Sequence, residues 1–192
     1  MRYTLIGGLN GVGKSTIYDL LAKGDKAQLG TRINVDEIAS KLGHWSDFKV
    51  QLVAGKKAVS QIKECLDLGL NFHQETTLSG RSILKTVKDA KEKGFYICLW
   101  YVYVDNIDIA KARVLSRVEK GGHGIPEDVI ESRSKTSLAT LKQLAPLCDE
   151  LRLYNNTAAL TATARITHGK LKILDKNIPA NILDCLQYEK GV

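Results

Sequence analysis

The stretch Gly8-Leu9-Asn10-Gly11-Val12-Gly13-Lys14-Ser15 has the spacing G-x-x-x-x-G-K-S, and it constrains what the chain can fold into more than any other feature. Glycines at these points let the backbone take positive φ and approach a polyphosphate closely, so that successive N–H groups point at the anion. Lys14 is placed to reach the β- and γ-phosphates, and the Ser15 hydroxyl to help hold Mg²⁺. Such a loop needs a strand before it and a helix after it. Tyr3-Thr4-Leu5-Ile6 reads as a short buried strand. Ser15 to Lys23, with Ile17, Leu20 and Leu21 on one face, reads as the helix whose N-terminus favours phosphate. The expected cradle comprises Gly8, Asn10, Gly11, Val12, Gly13, Lys14, Ser15 and Thr16, with ATP and Mg²⁺ as cofactors.

A chain of 192 residues suits one domain with a full core. Its longest apolar run, Ile97 to Val104, is far too short to span a bilayer, and Met1-Arg2 leads straight into a strand with no signal-peptide core. A cytoplasmic protein without a membrane segment is expected. Cys65, Cys98, Cys148 and Cys185 are widely spaced inside apolar patterns and read as buried free thiols. The net charge of +7 is carried by lysines scattered over many helix faces, with no aromatic-interleaved basic stretch. That distribution argues against nucleic acid and suits a small anionic substrate. No feature of the sequence sets an oligomeric state.

Beyond the first helix, Thr31 to Val35 reads as a second strand that delivers Asp36 to its carboxyl end, where open α/β sheets bind ligands. Asp36 is expected either to cap the following helix or to accept the proton of an attacking hydroxyl, and the two roles are compatible. Glu37 is expected to be solvated. A long helix from about Trp45 to Leu68, interrupted or kinked near Gly55, ends at Gly69. Leu70 to Glu75 reads as a third strand with Phe72 and Gln74 on one face, His73 and Glu75 on the other. Glu75 ends an interior strand and needs a ligand, a cation or hydrogen-bond donors. Beside it, Thr76, Thr77 and Ser79 either cap the helix from Arg81 to Lys93 or line a site for a sugar or alcohol.

Phe95 to Val104 is continuous, apolar and β-prone, as in a central parallel strand. Asp105 is expected to cap the helix Ile107 to Lys120, on which Arg113 and Arg117 share a face. Two arginines so placed would offset charge on a transferring phosphoryl group, or form a solvated basic face. Gly121 to Pro126, with His123 within it, links this helix to another that runs to about Leu144 and carries Arg133. The segment of about 113–135 reads as a lid. Glu150 to Tyr154 is expected to be the last strand of the sheet. In the extension after 157, Ala164–Thr167 and Leu171–Leu174 suggest a hairpin and Ile182–Tyr188 a short helix. The pattern predicts one α/β domain over 1–192. It is a three-layer P-loop fold with a mainly parallel five-stranded sheet.

Four stretches together resemble the zeta toxin family and its compact bacterial relatives: G-L-N-G-V-G-K-S-T at Gly8 to Thr16, N-V-D-E-I-A at Asn34 to Ala39, E-T-T-L-S-G at Glu75 to Gly80, and S-R-V-E-K-G-G-H-G-I-P-E at Ser116 to Glu127. The resemblance covers the first three quarters of the chain and implies a nucleoside-monophosphate-kinase-like fold. It implies a kinase that moves the γ-phosphate of ATP to a hydroxyl of a small acceptor, a UDP-N-acetylamino sugar in the studied toxins, and an antitoxin as protein partner. Matched by motif, Lys14 and Ser15 look like the ATP and Mg²⁺ residues and Asp36 like the base. Glu75, Thr76 and Thr77 look like substrate-binding residues, and Arg117 like the arginine that neutralises the transferred phosphate. The region of His123 departs from the second lid arginine of the toxins, for which Arg113 or Arg133 would compensate. Other kinases of the same fold, and a nucleotide-dependent binding module, are the alternative expectations.

Overall fold

A computed structural model describes residues 1–22, 29–44, 47–80, 82–122 and 124–186. Its frame is a seven-stranded sheet in the order β2-β3-β1-β4-β5-β6-β7. The strands are β1 (Arg2–Gly7), β2 (Thr31–Ile33), β3 (Phe72–Thr76), β4 (Tyr96–Tyr103), β5 (Glu150–Asn155), β6 (Thr161–Thr167) and β7 (Lys170–Ile173). β1 pairs in parallel with β3 on one side and β4 on the other, bringing Gly7 level with both Thr76 and Tyr101. β2 continues the parallel ladder beside β3, and β5 beside β4. The carboxyl ends of five parallel strands therefore share one edge, where the P-loop leaves β1.

The sheet does not stop at five strands, and Glu150–Asn155 is not its last. The hairpin expected in the C-terminal extension joins the same sheet, β6 pairing antiparallel with β5 and β7 with β6. An unpaired β5 edge would leave a row of backbone donors and acceptors, and the hairpin satisfies them. The new edge, β7, is short, exposed and carries Lys170 and Lys172.

Alternation along the strands divides the core into two layers of side chains. Tyr3, Leu5, Phe72, Ile97, Leu99, Leu151 and Leu153 pack on one face. They meet α3 (Phe48–Leu68), α4 (Ser82–Glu92) and α6 (Glu127–Leu144) through Ile62, Val87 and Leu141. On the opposite face Ile6, Trp100 and Val102 pack against Ile17 of α1 (Lys14–Ala22) and Ala110 of α5 (Ile107–Glu119). Helices cover both faces, which is the three-layer arrangement.

Local chemistry shifts several boundaries. Asn34, not Asp36, caps α2 (Val35–Ser40): its Oδ1 accepts from the backbone N–H of Asp36 at 2.9 Å and of Glu37 at 3.3 Å. The amide reaches the second and third residues of the helix from a β-region backbone, so β2 is cut to three residues and Asp36 falls in the first turn. Asn106 likewise displaces Asp105 as the cap of α5, its Oδ1 accepting from the backbone N–H of Asp108 at 2.9 Å. Asp105 instead accepts from Asn155 Nδ2 at 2.7 Å. α3 runs unbroken through Gly55, capped by Asp47 at one end and by left-handed Gly69 at the other. Gly55 has no neighbour within 4 Å of where a Cβ would lie, so nothing packs against it to bend the helix. α7 covers Ala180–Leu183, starting before the expected Ile182 and giving way to turn at 184–186, and the part of the expected helix from 187 to Tyr188 lies outside the described residues.

Candidate active site

A cleft of about 470 Å³ opens at the carboxyl edge between β1, β2 and β3. It is lined by Asn10, Gly11, Gly13, Lys14 and Ser15 of the P-loop, by Asn34, Asp36 and Glu37 of the β2–α2 junction, and by Arg32, Ser40, Glu75, Arg113 and Arg117. Asp36 and Glu75, 39 positions apart by number, meet here because β3 lies between β1 and β2 in the sheet.

The loop is shaped by its surroundings. Gly8, Gly11 and Gly13 have φ of 139°, 83° and 94°. A Cβ on Gly8 would overlap the Val102 carbonyl oxygen, one on Gly11 the Ala110 carbonyl oxygen, and one on Gly13 the Asn156 amide. Both backbone shape and close approach thus require glycine. Val12 turns its side chain away from the cleft into the core beside Ile17, and Thr16 is exposed. Lys14 Nζ donates to the carbonyls of Gly8 at 2.9 Å and Leu9 at 2.8 Å. Burial lowers its pKa to about 8, opposed by the carboxylates of Glu75 and Asp36 and reinforced by the charges of Arg117 and Arg133.

Across the cleft from the loop, Arg32 Nη2 lies 2.6 Å from Glu75 Oε1 and 2.6 Å from Glu37 Oε1. Its guanidinium carbon sits 3.6 Å above the Tyr18 ring, which in turn stacks on buried His73 at 5.2 Å. Glu75 is raised above the ordinary glutamate value by burial, with Arg32 and Lys14 pulling it back. Glu37 is therefore not merely solvated: it lines the cleft and holds the arginine that holds Glu75. Sequence reasoning passed over Arg32, Asn34 and Tyr18. Only the placement of a basic residue two before an Asn-x-Asp turn could have singled out Arg32.

Thr76 and Thr77 sit at the end of β3 beside the cleft without lining it. Thr76 Oγ1 accepts from the Leu78 N–H at 3.1 Å, and the Thr77 and Ser79 hydroxyls meet at 2.6 Å. Leu78 has φ 57°, a sharp turn that these hydroxyls brace. Arg113 lines the cleft, but its guanidinium is engaged by two backbone carbonyls, of Asn156 at 2.8 Å and Thr157 at 2.9 Å. Arg133 donates to Asn10 Oδ1 at 2.9 Å, so α6 reaches back to the P-loop. His123 lies outside the described residues.

Among the described residues no cluster of three or more His, Cys, Asp or Glu side chains could hold a metal by itself. Mg²⁺ needs no such cluster, because it keeps waters and phosphate oxygens and takes one or two protein oxygens. The Ser15 hydroxyl in the same cleft as Asp36 fits that requirement. No helix among the described residues is long and apolar enough to cross a membrane.

Solved structures share this architecture. A chain of the PezAT chromosomal toxin-antitoxin system of Streptococcus pneumoniae matches with a TM-score of 0.65 at 20% identity, over 97% of this chain and 76% of its own. A chain of AvrRxo1-ORF1:-ORF2 crystallised with ATP matches with a TM-score of 0.70 at 16% identity, over 100% of this chain and 66% of its own. A putative kinase from Chloroflexus aurantiacus gives 0.52 at 19% identity, over 62% of this chain and 68% of its own. This chain and these proteins share one α/β fold. No protein-family model matches the chain. An uncharacterized protein of Haemophilus influenzae is 36% identical over 126 residues, 66% of this chain and 87% of that protein, and the chain belongs to one family with it.

Proposed function

We propose that the protein is an ATP-dependent phosphotransferase that moves the γ-phosphoryl group to a hydroxyl of a small acceptor. The observation that carries this reading is the cleft in which Lys14 and Ser15 of the P-loop face Asp36 at the start of α2 and Glu75 on β3. One carboxylate beside the loop can serve Mg²⁺; a second, on another strand, is what an acceptor site adds. ATP would lie along Gly8 to Thr16, and Ser15 would help hold Mg²⁺, which would supply positive charge against the phosphates.

Asp36, in the first turn of α2 with its backbone fixed by Asn34, orients the acceptor hydroxyl and takes its proton. Lys14, Arg117 and Arg133 offset the charge that develops on the transferred group; the two arginines act electrostatically on Lys14. Arg113 contributes from one step back by holding the loop after β5. Glu75, locked by Arg32, bounds the acceptor pocket, and the Thr76–Thr77 turn fixes the end of the strand that carries it; on the sequence alone His123 is proposed as a further substrate residue. We read residues 1–192 as one kinase domain in which the helix–loop–helix of about 113–135 closes over the phosphates.

The resemblance to zeta toxins points to a UDP-N-acetylamino sugar as acceptor and to a small antitoxin protein as partner, in the cytoplasm. Charge agrees with a neutral ring at the reacting end. Glu37 and Glu75 are met there by Arg32, and Lys14 acts on Glu75 and Asp36 from the loop, whereas a phosphate belongs toward Arg113 and Arg117. An acceptor screen that follows ADP release and weighs the product tests the reading. Phosphorylation of a sugar nucleotide is expected; phosphorylation of another metabolite or nucleotide would reassign the acceptor, and ATP binding with no acceptor-dependent turnover would make this a binding module.

A further inference from the structure

The turn that follows β5 grips the P-loop from behind. Asn156 Nδ2 donates to the carbonyl of Val12 at 2.8 Å, across 144 residues of sequence. The turn is itself held on three sides. The Asn156 N–H donates to the Tyr103 carbonyl at 2.8 Å, Arg113 of α5 donates to the carbonyls of Asn156 and Thr157, and Thr157 Oγ1 accepts from the Asp105 N–H at 2.9 Å. Asn155 closes the turn, accepting from the Thr157 N–H and donating to Asp105, each bond 2.7–2.8 Å long. The amide therefore sits on a braced support.

Its effect on the loop follows from peptide geometry. In a planar trans peptide the C=O and the next N–H point in opposite directions. With the Val12 oxygen held outward by Asn156, the Gly13 N–H is turned to the other side, toward the cleft that Gly13 lines. That is the direction a phosphate oxygen requires. Gly13 in turn must lack a Cβ for the amide to come this close.

We propose that Asn156 is a positioning residue for the P-loop: it presets the Val12–Gly13 peptide for a nucleoside triphosphate, and Arg113 ties that setting to the helix that leads into the lid. The proposal rests on the reading of the loop as the donor site. A bond that presets a peptide lowers the cost of binding, so its loss appears in ligand affinity more than in folding.

The test compares wild-type protein with Asn156→Ala and Asn156→Asp. Binding of MgATP and of inorganic triphosphate is measured by calorimetry from pH 5.5 to 8, beside the thermal unfolding midpoint of each ligand-free protein. The Ala variant is expected to bind ATP about 10- to 100-fold more weakly at every pH, the worth of one lost bond with its partner left unpaired. At pH 8 the Asp variant is expected to be at least as weak, because an ionised carboxylate cannot donate to Val12 and repels phosphate. Its deficit against wild type narrows on acidification, as the protonated carboxyl regains a donor. A loss that merely tracks destabilisation would not narrow in this way. Variants that bind like wild type, or an Asp variant whose deficit does not change with pH, overturn the proposal while leaving the donor-site reading intact. Wild-type protein that binds neither ATP nor triphosphate overturns both.

Discussion

Arg32 and Glu75, on neighbouring strands β2 and β3, form an ion pair 2.6 Å long at the floor of the cleft, and the same arginine nitrogen holds Glu37. Glu75 is only 7% exposed at its side chain. The arginine is what permits a carboxylate to stay charged there, and it lies flat on Tyr18.

Removal of Arg32 leaves that carboxylate buried without its cation. Arg32→Ala is expected to destabilise the fold by about 3 kcal/mol at neutral pH. Glu75 already titrates above its ordinary value, and loss of Arg32 raises it further. The folded variant then binds a proton that the unfolded chain has released, so stability falls as pH rises from the unfolded value through the folded one. Urea unfolding at pH 4 and pH 7 checks this: the penalty should shrink at pH 4, and Arg32→Ala/Glu75→Gln should recover part of it.

Lys14 has the opposite sign of interest. With its pKa lowered to about 8, the ammonium that binds phosphate is lost as pH rises through that value. ATP affinity is expected to weaken from pH 7.5 to 9, beyond any change that Lys14→Met shows over the same range. The unfolded chain keeps the Lys14 proton up to its ordinary value near 10.5. Between about 8 and that value it binds more protons than the folded state, so the lysine's contribution to stability increases with pH. Unfolding curves of wild type and Lys14→Met over that window should diverge accordingly.

Asp36→Asn keeps the shape of the side chain and removes the base. Phosphotransfer is expected to fall about 10²- to 10⁴-fold with ATP affinity nearly unchanged. Acceptor-dependent ADP release and ATP calorimetry measure the two quantities separately. Turnover at the wild-type rate would sink the assignment.

Gly13→Ala places a methyl where the Asn156 amide lies and keeps a residue at φ 94°. A cost of about 1–3 kcal/mol in stability is expected from the backbone alone, with ATP binding lost. Thermal unfolding with and without ATP reads both; a nucleotide-induced shift equal to that of wild type would show that the loop tolerates the change.

Arg133→Ala removes the bond from α6 to Asn10 and one charge near the phosphates. A drop in kcat of about 10²-fold is expected, larger than the change in KM for ATP. Steady-state kinetics beside Arg117→Ala would show whether the two arginines act on one step.

Most of the frame was legible from local patterns. The glycine spacing from Gly8 to Gly13 announces a phosphate loop because the requirement is on the backbone of those residues themselves. The unbroken β-prone run ending at Tyr103 announces a central strand because both its faces are buried. Capping was legible only as a rule: Asn34 and Asn106 each took a cap expected of an aspartate, since the helix starts where an amide oxygen reaches a backbone N–H of the first turn. The hairpin was visible, but its place in the sheet was not, because nothing in Thr161–Ile173 says which edge it will pair with.

By itself, then, the sequence determined a strand, a phosphate loop and a helix, and two further carboxylates at strand ends. Tertiary structure alone decided who meets them. Arg32 finds Glu75 across 43 residues, and Asn156 finds Val12 across 144. Both contacts follow from a strand order in which β3 is inserted between β2 and β1, and β5 is carried round to the far side beside β4. Order in a sheet is set by the packing of whole faces and the closure of long connections, and no local spacing records it.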